Sequence, residues 1–480
     1  MSGENARQAI AGIAAYAPRR RIETAELADA WGQSGAAGIT QSTVPDADED
    51  TLTMAAEAAT DALNGAEVPA ESLASVLVAT TTPPLEEEAF TARLASFLGL
   101  EDVATTQLTG STAAGVNALR VGLSADDGPG LVVASDAPRG APDSDLEHAA
   151  GAGAAALVLD ADGSGTVDDV ASRTDAYPGT RSRERGDEDA GELGITQYER
   201  TAFVETLGAV ASDLEYDGDE LDAAAIQAPN GKLPYRAAGA LGVSNEHIQA
   251  GTTVHDLGDT GAANPLLGLA GAVAEGAERV LLAGYGSGAE ATAMMLDVGG
   301  VPATVRTEGT ETVTYAEYLR LRGEITPGEP EGGGAYVSVP SWRRTLAQRH
   351  RLEVGECASC GGLNLAPEGA CDVCHELTEY ERVTVPGTGT IEAVTVIGQG
   401  GAPPEFVEQQ ARSGAFVSAV VALDGPEDDD RSVSLPMQVV TGDDEEPTIG
   451  DRVETTIRHV YTQEGLPRYG RKAILADSRR

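Results

Sequence analysis

The sequence predicts a layered α/β domain over residues 1–325, followed by a metal-folded knuckle and a small antiparallel β-barrel. Three observations lead there. Short apolar β-rich runs alternate with Ala-rich helical stretches through the first part of the chain. All four cysteines fall between positions 357 and 374. Beyond them come short alternating runs separated by Gly, Pro and Asp clusters.

The β-rich runs are SVLVATTT (75–82), GLVVASD (130–136), AAALVLD (154–160), AAAIQAP (223–229), RVLLAGYG (279–286) and ATAMMLDV (291–298). Strands alternating with helix-length segments predict a mostly parallel central sheet covered by helices. An internal repeat sharpens this. GSTAAGVNALRVGL from Gly110 leads into GLVVASD and then GAGAAALVLD; DTGAANPLLGLAGAV from Asp259 leads into RVLLAGYGSG and then AEATAMMLD. Each copy reads Gly/Thr turn, Ala-rich helix, apolar strand, small-residue turn, second strand. Turn and strand are about twenty residues apart in both, the length of one helix and a loop. Two copies predict duplicated halves, 1–165 and 166–325, with their buried helices facing each other.

Residues 326–340 carry a Pro/Gly/acid run, TPGEPEGGGA, that reads as a linker. The segment SWRRTLAQRHRL from Ser341 is basic and helical in an otherwise acidic chain, and is either a contact for a partner or anionic ligand or a solvated helix face. Cys357, Cys360, Cys371 and Cys374 form two CxxC hooks with the spacing of a zinc ribbon over 341–380. Four thiolates close a tetrahedral shell, so a bound Zn2+ is structural; His375 is a competing ligand that four cysteines make unnecessary. From 381 to 480, the runs YERVTVPG, GTIEAVTVIG, AFVSAVVALD, SLPMQVV and RVETTIRHV predict a five-stranded barrel of the OB type.

Asp and Glu number 77 against 32 Lys and Arg, a formal charge of −45, spread along the chain. Lys232 and Lys472 are the only lysines. With 41% apolar residues in regular patterns, this composition reads as a globular protein suited to molar salt, where the Debye length shrinks to about 3 Å. Such a surface excludes nucleic acid as a partner. No apolar stretch reaches membrane-spanning length and the start lacks a signal-peptide core, so a cytoplasmic protein is expected.

A series of short stretches in order carries a family resemblance. They are GIAAYAPRRRI from Gly12 with Trp31-Gly32, VPDADEDTLTMAAEA from Val44, LEHAAGAGAAAL from Leu146, PNGKLPYRAA from Pro229, Gly258-Asp259-Thr260 with LLGLA from Leu266, and GSGA from Gly286. In these the chain resembles the archaeal hydroxymethylglutaryl-CoA synthase branch of the thiolase superfamily. The resemblance implies a thiolase fold of two βαβ halves, a homodimer, and condensation of an acetyl unit with an acyl-CoA. From 338 onward the chain is similar to the rubredoxin-like zinc-ribbon/OB-fold proteins that accompany thiolases, through WRR at Trp342, HRL at His350, the CxxC pairs, GTGTIEAVTV from Gly387 and RYGRK from Arg468. That resemblance implies docking on a thiolase or synthase partner and help in holding CoA substrates. Covalent fusion raises effective concentration without new contacts.

The family's chemistry uses a cysteine nucleophile at a helix N-terminus, a glutamate that moves the α-proton and a histidine that binds the second carbonyl. Here the nucleophile turn reads QLTGSTAAG, which aligns Thr109 with the cysteine, or Ser111 or Thr112 if the gap shifts. The glutamate position falls at Thr81, with Glu86, Glu87 and Glu88 just beyond; the histidine position is Gln227, and the asparagine of the Gly-Asn-Thr turn is Asp259. Asn230, Gly231, Lys232 and the Ser287 turn are retained as candidate acyl-CoA contacts. Each catalytic group is worth a factor of ~10² to 10⁴, and groups acting as a unit fail together. The expectation is a synthase-like protein that binds acyl-CoA or scaffolds a partner without condensing. The alternative is an acyltransferase with a Ser or Thr nucleophile activated by a base such as His255 or His148, since a hydroxyl needs an adjacent base.

Overall fold

Asp50 starts one of the two sixteen-residue helices of the first unit. Its carboxylate accepts from the N–H groups of Leu52 and Thr53, both at 2.9 Å, while the Thr53 hydroxyl accepts from the Asp50 N–H at 2.8 Å. This reciprocal box, worth about 1 kcal/mol, fixes the start of Thr51–Ala66, whose small residues are buried along most of its length. The computed structural model describes residues 8–125, 128–325, 338–398, 406–426, 431–442, 445–463 and 465–476. It divides into two units. The first is Met1–Pro45, Glu49–Ala95 and Leu100–Tyr318; the second is Asp46–Asp48, Ser96–Gly99 and Leu319–Arg480.

The first unit holds two principal sheets. The six-stranded sheet runs, edge to edge, Ala303–Arg306, Ala9–Tyr16, Gly153–Asp160, Gly130–Asp136, Ser75–Ala79, Ala104–Leu108. The four-stranded sheet runs Thr166–Tyr177, Gly288–Asp297, Arg279–Gly286, Ala223–Ile226. The helices Ala114–Leu123 and Asn264–Ala274, each preceding a core strand as the repeat predicts, contact both sheets and each other. Asn264–Ala274 is apolar and buried nearly all round, as a helix between two sheets must be, whereas Ala114–Leu123 keeps Asn117, Arg120 and Val121 off its buried face. Where the first helix meets the turn leading into the second, glycine is needed: a Cβ at Gly115 would stand 2.0 Å from the Ala262 carbonyl oxygen.

The α/β class agrees with the sequence; the expected parallel majority holds narrowly in the six-stranded sheet and fails in the four-stranded one. In the six-stranded sheet three pairings are parallel and two antiparallel. In the four-stranded sheet one is parallel and two antiparallel. The reason lies in the connections: Gly288–Asp297 follows Arg279–Gly286 after a single residue, too short for a crossover, so the chain folds back as a hairpin.

In the second unit the basic segment forms two short helices, Val339–Arg344 and Leu346–Arg351. Trp342 is buried, with the guanidinium of Arg349 4.4 Å and that of Arg468 5.1 Å from its ring centre. These arginines are thus engaged in cation–π packing, and burial lowers the Arg349 pKa. Next, Glu353–Cys357 pairs antiparallel with Leu363–Asn364 and Tyr380–Thr384. A closed barrel follows in the order Thr388–Ile397, Phe416–Asp424, Ser432–Val440, Leu466–Leu475, Arg452–Gln463. Along Phe416–Asp424 burial alternates strictly, placing Val417, Ala419, Val421 and Leu423 inside.

Five barrel strands are present, but not the five expected. The YERVT run belongs to the cysteine-bearing sheet, and Leu466–Leu475 takes its place in the barrel. The pairing of Ser432–Val440 with Leu466–Leu475 is parallel, so the barrel is not wholly antiparallel. One apolar cluster joins Leu352, Val354 and Leu363 to the barrel residues Val421, Val439 and Ala473, so knuckle and barrel share a core. The expected linker at 326–340 lies, but for its last three residues, outside the described residues.

Candidate functional site

A cleft of about 430 Å³ opens in the first unit, lined by the turn after Ser75–Ala79, the turn before Ala114–Leu123, a segment from Arg181 to Ala190, and Ser287. Thr81, Thr109, Ser111, Thr112 and Ser287 are all on its wall. The fully buried Asp136, which is not on the wall, ends the Gly130–Asp136 strand and holds a turn that is. It accepts from the hydroxyls of Thr80 (2.8 Å), Thr81 (2.9 Å) and Thr82 (2.8 Å), and from the N–H groups of Thr81, Thr82 and Ala262 at 2.7–3.0 Å. Two carboxylate oxygens offer about four lone-pair sites, so six donors fill the acceptor capacity of Asp136. It is an anchor for the Thr80–Thr82 turn. A Cβ at Gly261 would stand 2.2 Å from Asp136 Oδ2, which is why this turn, at φ +56°, carries glycine.

Arg181 enters from the segment that follows Thr166–Tyr177. Its Nη1 lies 2.6 Å from Oδ2 of the fully buried Asp259, and its backbone N–H donates to Ser287 Oγ at 2.9 Å. Arg183 donates to the Thr81 carbonyl at 2.7 Å. Beside Arg181, loss of solvation, then the charges of Glu199 and Asp145, push the Glu192 carboxyl up to about 7. At the helix start, the Thr112 hydroxyl donates to the Tyr285 carbonyl at 2.6 Å, and Ser111 Oγ donates to Glu290 Oε1 at 2.6 Å.

No family model matches the chain. The hydroxymethylglutaryl-CoA synthase of Archaeoglobus fulgidus is 30% identical over 339 residues, covering 66% of this chain and 98% of the relative. The chain belongs to the hydroxymethylglutaryl-CoA synthase family. The synthase of Methanopyrus kandleri is 28% identical over 348 residues, with 66% of this chain and 98% of the relative covered. Among solved structures, an HMG-CoA synthase complexed with CoA superposes with a TM-score of 0.59 at 17% identity, covering 69% of this chain and 94% of that one. The 3-oxoacyl-[acyl-carrier-protein] synthase III from Aquifex aeolicus gives 0.52 at 18% identity, covering 60% and 99%. These likenesses establish the thiolase fold, and the relatives make this an acyl-CoA acyltransferase-like protein.

In this synthase-family chain the expected catalytic positions scatter. Thr81 reaches the cleft, but its hydroxyl is held by Asp136. Gln227 is 1% exposed and not on the wall; its Nε2 donates to the Gly261 carbonyl at 2.9 Å and its Oε1 has no hydrogen-bond partner among the described residues. Asn230 Oδ1 accepts from the N–H groups of Lys232 and Leu233, both at 3.0 Å, and so caps Leu233–Leu241. Lys232 is exposed, and neither it nor Asn230 lines the cleft. Ser287 does, accepting from Thr180 Oγ1 and Arg181. His148 Nδ1 accepts from the Gly35 N–H, and His255 bonds Tyr235 and the Gly38 carbonyl, so neither stands by the candidate hydroxyls. Sequence reasoning missed Asp136, Arg181 and Glu290. Only Asp136 carries a signal in the sequence, an acid closing a wholly apolar strand.

The four cysteine sulfurs lie within 4.8 Å of one another, with Cys357–Cys374 at 3.8 Å and Cys360–Cys371 at 3.7 Å. A tetrahedron with metal–sulfur bonds of about 2.3 Å has edges of about 3.8 Å, so the donor set fits zinc. The N–H groups of Gly362 and Val373 and the Asn364 amide donate to the sulfurs of Cys360 and Cys371. Hydrogen bonds, led by the Cys374 N–H, hold the Cys371 thiol down to about 6. His375 is not part of this group. A zinc ion there would supply cross-linking alone, since four sulfurs leave no position for a reactant.

Proposed function

We propose that this chain binds an acyl-CoA in the cleft of its synthase-like domain and presents it to, or scaffolds, a catalytic thiolase or synthase, without performing the family's condensation. One observation carries the reading: every cysteine of the chain lies in the 357–374 cluster, and the head of the Ala114–Leu123 helix offers only hydroxyls to the cleft. Around it, the carbonyl-binding position holds a buried amide bonded to Gly261, and the α-proton position holds Thr81. Groups that act as a unit fail together, so the missing thiol alone already removes most of the rate.

Binding is a separate matter from chemistry. The cleft has the size of a small-molecule site, and Arg139, Arg183 and Arg185 on its wall suit phosphate or carboxylate. Ser287 is the proposed acyl-side contact; Asn230 and the exposed Lys232 are proposed contacts for the CoA end. Zinc held by Cys357, Cys360, Cys371 and Cys374 serves structure. A homodimer through the thiolase-fold domain, a cytoplasmic location and an acidic surface suited to molar salt complete the reading. The last predicts a melting midpoint that rises with KCl through the molar range.

The experiment is a thermal-shift titration with acetyl-CoA and acetoacetyl-CoA in molar salt, joined to affinity capture from a high-salt lysate. Stabilisation by the esters and recovery of a thiolase-type partner are expected. Neither stabilisation nor partner would leave the reading without support.

A further inference from the structure

We infer that Ser111, paired with Glu290, accepts acyl groups from thioesters, so that the cleft carries an acyl-transfer and hydrolysis activity separate from condensation. Ser111 is on the cleft wall and its Oγ–H is donated to Glu290 Oε1 at 2.6 Å. Glu290 belongs to the strand Gly288–Asp297 and is not on the wall, so the hydroxyl faces the cleft and its carboxylate partner stands elsewhere. That is the disposition of a nucleophile and its base.

Competing hydroxyls are spoken for differently. Thr112 donates to a backbone carbonyl, which cannot take a proton. Thr81 and Thr82 donate to Asp136, whose acceptor sites are filled by six donors. Glu290 accepts from Ser111 and from no other group among the described residues. The position of Ser111 is also shaped for: a Cβ at Gly286 would stand 2.2 Å from its Oγ, so only glycine leaves it room. Ser111 lies three residues ahead of the ten-residue helix Ala114–Leu123, whose dipole favours negative charge developing at that end.

The chemistry balances without a further reagent. Ser111 Oγ attacks the thioester carbonyl carbon as its proton passes to Glu290; the C–S bond breaks and the thiolate leaves with that proton. Water then attacks the serine ester with Glu290 again taking the proton, releasing a carboxylic acid and restoring the hydroxyl. The sum is thioester plus water giving acid plus thiol. The inference rests on the reading that an acyl-CoA enters the cleft, and the test separates the two.

Full-length protein is incubated with acetyl-CoA and, separately, with p-nitrophenyl acetate, which needs no CoA recognition, and analysed by intact and peptide mass spectrometry. An acetyl group on Ser111 is expected, absent in Ser111→Ala and formed about 10²-fold more slowly in Glu290→Gln. Ser111→Cys, which puts a thiol in place of the hydroxyl, should acylate faster than wild type; far-UV circular dichroism confirms that each variant is folded. Wild-type protein unacetylated by both reagents, or an adduct that persists in Ser111→Ala, overturns the dyad. Thermal stabilisation by acetyl-CoA without acylation by either reagent would overturn the dyad and leave the binding reading standing. Acylation by the nitrophenyl ester without stabilisation by acetyl-CoA would support the dyad and overturn the binding reading.

Discussion

Arg181 Nη1 lies 2.6 Å from Asp259 Oδ2, and Asp259 is fully buried. The arginine that neutralises this buried aspartate lines the cleft. Arg181→Ala leaves a buried carboxylate unpaired and should cost about 3–5 kcal/mol in urea unfolding, whereas Arg181→Ala combined with Asp259→Asn should recover much of that loss. Equal destabilisation of the single and double variants would show that the pair is not coupled.

Gly115 tests how the first buried helix meets the turn leading into the second. A methyl group there would collide with the Ala262 carbonyl, so Gly115→Ala should cost about 1–3 kcal/mol through overpacking, despite the better helix propensity of alanine. Chemical denaturation measures it. A neutral or stabilising effect would mean that helix and turn are further apart than described.

Zinc removal bears on the second unit. Because knuckle and barrel share a core, chelation or Cys371→Ser should lower the melting transition of that unit while the first unit's transition stays in place. Metal analysis should find one zinc per chain in the native protein and none in the variant. Calorimetry that shows both transitions falling together would contradict independent units.

Glu192 gives a pH dependence with a definite sign. Its folded carboxyl is pushed up to about 7 from an ordinary value of 4.5, so the folded state holds the proton longer than the unfolded chain. Its contribution to stability is fully present below pH 4.5 and is lost as the pH rises to about 7. Solvent contact keeps the effect under about 1 kcal/mol. Glu192→Gln should flatten this part of the stability profile and raise stability at neutral pH. A profile unchanged by the substitution would remove Glu192 as its source.

Much of the fold could be read from local pattern. The strands at Gly130–Asp136 and Arg279–Gly286 begin and end where their apolar runs do, and the repeat foretold two facing helices. Strand direction could not be read, because an apolar run buried on both faces looks the same in either orientation. The barrel's Leu466–Leu475 was hidden by Arg468, Arg471 and Lys472, whose charges obscure its alternation. At the site, the hydroxyls of Thr81, Thr109, Ser111 and Thr112 were found from their turns, which are local. Arg181, Asp136 and Glu290 were not, because each meets its partner across 54 residues or more of chain.

The central claim is that a fold built around a thiolate operates here without one in its cleft. Its most direct test is the steady-state rate at which the purified chain, with no companion enzyme, converts acetyl-CoA and acetoacetyl-CoA to hydroxymethylglutaryl-CoA in molar salt. The account predicts product no faster than the uncatalysed background. Turnover at the rate of an ordinary synthase would contradict it.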